Sequence, residues 1–216
     1  MKKSILTFLF FMPALLFGQA QLVDFGGAAW GNQYVEVERQ LQALKNKARS
    51  DEKVDIIDKK IDKYMIFKRD DIKYQYRFFK KESALSNPST SSSTSTGTST
   101  QGTASLYSVG VFFSPVPFND LKQMIVGKYK SNPKEILDDD KKPVALLWDL
   151  SSPPALGRTG STGGYIVQWI ETYKNKQYSK RIDYFGAEIT KVINKNYEEY
   201  FSERERKVLD LLSKFP

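Results

Sequence analysis

Glu171 and Asp183 are the two acids of this chain whose placement first suggests chemistry. They fall on neighbouring segments, residues 165–173 and 178–185, which read as the two arms of a hairpin around Lys174-Asn175-Lys176-Gln177. Facing each other across it, two carboxylates would raise one another's pKa, as the acids of a glycosidase require. Lys174, Lys180 and Arg181 flank them, and cross-strand salt links are the competing reading. Asp138-Asp139-Asp140 offers oxygen donors of the kind calcium prefers. Consecutive side chains point in different directions, however, and Lys141-Lys142 follow at once, so a solvated turn is expected. Residues 157–164, Gly-Arg-Thr-Gly-Ser-Thr-Gly-Gly, form the one glycine-rich loop. A phosphate cradle wants a helix after the loop and usually a Lys beside Ser or Thr. Here the next segment reads as a strand and no Lys follows. No catalytic, cofactor or metal residue is assigned.

Two absences narrow the chemistry further. The chain contains no Cys and no His. A disulfide framework, a thiolate nucleophile, an imidazole base and a Cys/His zinc site are all excluded. Its 216 residues are 40% hydrophobic and 27% charged, which suits one domain of moderate size with attachments. The formal charge of +8 favours acidic or anionic partners.

Residues 1–20 read as a signal peptide. Lys2 and Lys3 precede an apolar run from Ile5 to Phe17, and Gly18 and Ala20 supply the small residues of a cleavage site. That run is shorter than the roughly 20 residues a membrane-spanning helix needs. Nothing later is long and apolar enough to span either, so no transmembrane segment is expected after cleavage. Export to the periplasm or the outer cell surface of a Gram-negative bacterium is the expectation, which makes nucleic acid an unexpected partner.

The elements that would position any site fall into two stretches. Residues 83–105 are a Ser/Thr-rich tract with almost no apolar side chain, expected to be a disordered loop. It divides residues 21–82, a first half, from residues 106–216, a second half. In the first half Asn32 is placed to cap a helix with Tyr34, Val37, Leu41 and Leu44 along one face. Val54, Ile57 and Ile61 predict a second helical turn over 51–61. Ile72, Tyr74, Tyr76 and Phe78 alternate with Lys73, Gln75 and Arg77 as a half-buried strand does. In the second half Tyr107, Val109, Val111 and Phe113 alternate likewise, and Asn119 is placed to cap a helix. An apolar strand follows at 144–148, then the 165–185 hairpin and an amphipathic helix over 187–215. The expected fold is α+β: an antiparallel sheet built from two helix-plus-β-meander halves, helices on one face, and a C-terminal amphipathic helix.

The opening Trp30-Gly31, the helix containing Glu36-Val37, the aromatic hairpin strands and the late Trp148 give the chain a resemblance to small exported bacterial α+β envelope proteins. The order of elements is similar to the helix-plus-hairpin modules of outer-membrane assembly accessory proteins. The resemblance implies a binding or scaffolding role and brings no catalytic residue with it. The chain departs from many such proteins in lacking a lipidated Cys and in carrying the Ser/Thr tract.

Three Trp, twelve Tyr and fourteen Phe are many for this length. Most must be core, yet Tyr, Trp and Arg are also favoured at binding surfaces. Tyr74, Tyr76, Arg77, Trp169 and Tyr178, with Leu209 and Leu212 on the last helix, are the expected partner-binding residues. The partner would be an envelope protein or another copy of the chain, or else an anionic surface or polysaccharide. A non-enzymatic binding or structural protein is the leading expectation. A filament or sheath component, a carboxylate-dependent polysaccharide enzyme and a ligand carrier are the alternatives.

Overall fold

β-branched and aromatic side chains at period two build most of this protein. The computed structural model describes residues 25–80, 104–150, 164–189 and 201–212. The expected leader, nearly all of the Ser/Thr tract, the glycine loop up to Gly163 and the stretch 190–200 lie outside the described residues. Helix α1 (Tyr34–Lys47) comes first, then strands β1 (Val54–Lys60), β2 (Tyr64–Arg69), β3 (Ile72–Lys80) and β4 (Ala104–Pro117). Helix α2 (Phe118–Tyr129) leads to β5 (Lys134–Leu137), β6 (Pro143–Asp149), β7 (Gly164–Trp169), β8 (Glu171–Tyr173) and β9 (Lys176–Gly186). Helix α3 (Glu203–Leu212) ends the series.

The nine strands make one antiparallel sheet in the order β1-β2-β3-β4-β9-β7-β6-β5, with β8 also on β9. This overturns the expected α+β fold of two helix-plus-meander halves: the protein is dominated by one continuous sheet. The joint is β4 against β9, where Gly110 faces Asp183 and Phe112 faces Arg181. Alternation along a strand says which residues share a face, but not which distant strand it pairs with. That is why two local meanders were expected in place of one sheet. Lys80 pairs with Ala104, so the 81–103 segment connects neighbouring strands.

The expected helical turn over 51–61 is also corrected, because Val54–Lys60 is the edge strand β1. Val54 and Ile56 pack against the inner core, and a register shift between Ile56 and Asp58 makes Ile57 a bulge that faces solvent. The three-residue spacing from Val54 to Ile57 imitates a helix only because of that extra residue. Neither expected cap residue sits at the cap. Gln33 precedes α1 without a side-chain cap bond, while Asn32 accepts from Ala29 N and donates to Glu36 Oε2. Pro117 precedes α2.

Each face of the sheet has its own core. On the inner face α1 and α2 bury Val37, Leu41, Leu121 and Ile125 against Met65, Tyr76, Val109, Trp148, Ile166 and Tyr184. On the opposite face Phe201 and the α3 residues Val208, Leu209 and Leu212 cover Phe79, Tyr107, Leu147, Tyr165, Val167 and Phe185. The expectation of helices on one face therefore fails at α3. β7, buried at every residue, is the strand most completely sandwiched. Among the described residues no helix is long and apolar enough to cross a membrane.

Candidate functional site: a buried charge network at the border of an open sheet face

The middle of the sheet carries three rows across β2, β3, β4 and β9 on the α3 side. Register aligns Lys68, Lys73, Phe112 and Arg181 in one row. The next row is Ile66, Gln75, Gly110 and Asp183, and the third is Tyr64, Arg77, Ser108 and Phe185. Helix α3 and Phe201 lie over the β9, β7 and β6 end of these rows. Among the described residues nothing from β1 and β2 joins the core beneath α3.

Where the covered part meets the open part, three buried charges meet the half-buried Arg181. Arg77 is 5% exposed, Asp183 0% and Glu205 6%. Arg181 reaches both acids, donating from Nε to Asp183 Oδ1 at 2.9 Å and from Nη2 to Asp183 Oδ2 at 2.8 Å and to Glu205. Trp169 Nε1–H donates to Asp183 Oδ2 at 2.7 Å. Arg77 Nη2 donates to Glu205 Oε1 at 3.2 Å and to Gln75 Oε1 at 3.1 Å. Two arginines and two carboxylates leave the group neutral, which buried ions require.

Local sequence explains how Glu205 reaches this position. Ser202-Glu203-Arg204-Glu205 closes a capping box at the start of α3. Glu205 Oε2 accepts from Ser202 N at 2.7 Å and Ser202 Oγ at 2.8 Å, while its other oxygen turns to the arginines. Arg204, its neighbour, donates to the carbonyls of Val144 and Ile170 and lies over the Trp169 ring at 5.1 Å. Arg181 stands 5.5 Å from the same ring, so two guanidinium groups lie against the indole.

Burial by itself would raise the Glu205 pKa, but Arg181 and Arg77 outweigh it and hold the carboxyl down at about 2. Burial likewise disfavours the Arg181 cation, and Asp183 and Glu205 more than restore it. A general acid for glycoside cleavage needs the reverse, a carboxyl held above its usual range. The direction also sets a pH dependence. Glu205 ionises less readily in the unfolded chain, where its pKa is near 4.5, than in the folded one. Its contribution is complete above about pH 4.5 and is lost as the pH falls towards 2. It amounts to roughly 2 kcal/mol after discounting for remaining solvent contact. Urea unfolding at pH 6 and pH 3 should show the difference between wild type and Glu205→Gln shrinking at the lower pH. An unchanged difference would refute the assignment.

The acids first considered for catalysis are not brought together. Glu171 pairs with Tyr178 and Asp183 with Val167, five residues apart along the same edge of β9. Lys180 holds Glu171 at 2.6 Å, while Arg181 and Trp169 hold Asp183. The aspartate run is a turn in which Asp138 Oδ1 accepts from Lys142 N and Asp139 meets Lys207 at 2.8 Å. Among the described residues no group of three or more acidic side chains is arranged to hold a metal ion.

The residues expected to bind a partner are mostly internal. Tyr76 is buried on the inner face with its hydroxyl on Phe25 O, and Tyr74 is half-buried beside Phe67. Trp169, Arg77, Leu209 and Leu212 meet beneath or beside α3. Tyr178 is half-buried near the β8–β9 turn. The structure thus gathers four of the seven, as the underside of a helix and not as a surface. Sequence reasoning named Arg181 as a salt-link partner of the acids, and the structure pairs it with Asp183, but it missed Glu205 and Gly110. Of these only Glu205 had a legible signal, the Ser-x-x-Glu spacing before an apolar run. No family model, no curated protein and no solved structure matches this chain.

Proposed function

We propose that this is an exported, non-enzymatic binding protein of a bacterial cell envelope, working through protein–protein contacts. The observation that supports it best is the uneven cover of the sheet. Among the described residues one face is packed beneath two helices, while on the other α3 and Phe201 cover β9, β7 and β6 together with Phe79 of β3 and Tyr107 of β4, and reach no residue of β1 or β2. The remaining part offers half-buried Tyr64, Ile66, Gln75 and Phe112 beside Lys68 and Lys73. Mixed aromatic, aliphatic and basic side chains on a rigid sheet suit recognition of another macromolecule.

Sheet-edge polymerisation, the basis of a filament or sheath, has less support. β1 ends the sheet with a bulge at Ile57 and with Asp55, Asp58, Lys59 and Lys60 along it. β5, at the other end, is four residues long and carries its own register shift. Short, bulged and charged edges are the usual defence against strand addition. A groove of about 270 Å³ between α1 and β1, lined by Gln42, Lys45, Asp55, Ile57 and Lys59 among others, is open and charged, unlike the closed apolar cavity of a carrier.

The test is cross-linking in intact cells that express the tagged full-length chain. The expected result is a chain cut after Ala20 in the envelope fraction, joined reproducibly to one protein. Retention in the cytoplasm with residues 1–20 attached would refute export. Turnover of an envelope glycan by the purified protein would refute the non-enzymatic reading.

A further inference from the structure

Lys68 and Lys73 face each other directly across β2 and β3. Like charges so placed destabilise a sheet, and the usual remedy is an acid on the next strand. Asp55 stands opposite Lys68 on β1, but its carboxylate is committed to Lys45 on α1 at 2.7 Å. On the other side Lys73 faces Phe112, and Arg181 beyond it is engaged with Asp183 and Glu205. Among the described residues neither Lys68 nor Lys73 has an ion pair. Beside this basic row lie Ile66, Gln75 and Gly110. Gly110 has no side chain of its own, and the Asp183 carboxylate and the Phe112 ring close over it.

We propose that this open face of β2, β3 and β4 binds an acidic segment of a partner protein. Carboxylates of the segment would lie between Lys68 and Lys73, and its apolar side chains would rest on Ile66 and the Phe112 ring. A polypeptide carries acidic and apolar groups together, which matches two lysines with Phe112 in their own row and Ile66 in the next. A uronic-acid polymer would leave Ile66 unused, and a lipid surface would need a protruding cluster, where these residues stand on strands inside the sheet. The inference rests on the protein-binding reading above and names the chemistry of its partner.

The Lys68–Lys73 pair gives the test two readouts of opposite sign. Fluorescence anisotropy with purified full chain uses a labelled peptide of alternating glutamate and valine, with a serine–valine peptide as control. Lys68→Glu and Lys73→Glu should each weaken the acidic peptide about tenfold or more. Lys73→Glu should also raise the thermal midpoint by about 2 °C, because an opposite-charge pair replaces a like-charge one. Amide shifts in the NMR spectrum should gather on β2, β3 and β4. Equal binding of the control, unchanged binding by both variants, or shifts gathered on the β8–β9 turn would overturn the proposal. So would tighter binding of polygalacturonate or of phosphatidylglycerol vesicles. If cross-linking in cells finds a partner that Lys68→Glu and Lys73→Glu leave attached, this face is wrong and the protein-binding reading stands. If no protein is ever joined, that reading itself has failed.

Discussion

Replacing Glu205 by Ala should cost about 3 kcal/mol of folding stability, because it leaves the buried Arg77 without a carboxylate. Arg77 would keep only Gln75 Oε1 as a polar partner, and Arg181 would keep Asp183. The start of α3 would lose its reciprocal cap as well, a contribution of about 1 kcal/mol that Ser202→Ala measures separately. Urea unfolding with an unchanged m-value is the appropriate measurement. The pair Arg77→Met with Glu205→Leu should cost less than the sum of its parts, since the charge and the group that required it leave together. A loss below about 1 kcal/mol for Glu205→Ala would mean that α3 is held by Val208, Leu209 and Leu212 alone.

Gly110→Val should destabilise by about 3 kcal/mol, although every local rule favours the change. Gly weakens a strand interior and Val is among the best strand formers. At this position the added Cβ would lie 2.8 Å from Asp183 Oδ1 and 3.1 Å from Phe112 Cε2. A flexible acid would turn aside, but Asp183 is fixed by Trp169 and by two bonds from Arg181. The strain of overpacking a well-filled site therefore outweighs the gain in propensity. Gly110→Ala should show the same sign at smaller size. In an Asp183→Ala background the Gly110→Ala cost should shrink, since the nearer of its two obstacles has gone. A stabilising Gly110→Val in the intact chain would show that Asp183 is not held as described.

Both expectations depend on partners that no local pattern announces. Alternation placed Tyr74, Tyr76 and Phe78 on one face of β3 and Lys73, Gln75 and Arg77 on the other, and the strand lies where it was expected. The composition by itself excluded every mechanism that needs Cys or His. Helical spacing likewise marked Tyr34, Val37 and Leu41 as the buried stripe of α1. These features are legible because they depend only on backbone period and side-chain type.

The rest was decided at long range. Which face of β3 would be sealed depended on where α1 and α3 settle, more than a strand's length away in sequence. Tyr74 and Tyr76 therefore turned inward under α1, while Lys73 and Gln75 became surface. Arg77 reads as an exposed cation until Glu205, 128 residues later, arrives above it. Asp183 reads as a possible acid until Arg181 beside it and Trp169 from the next strand surround it. A strand's sequence records which side chains travel together, whereas burial and charge pairing are properties of whatever packs against them.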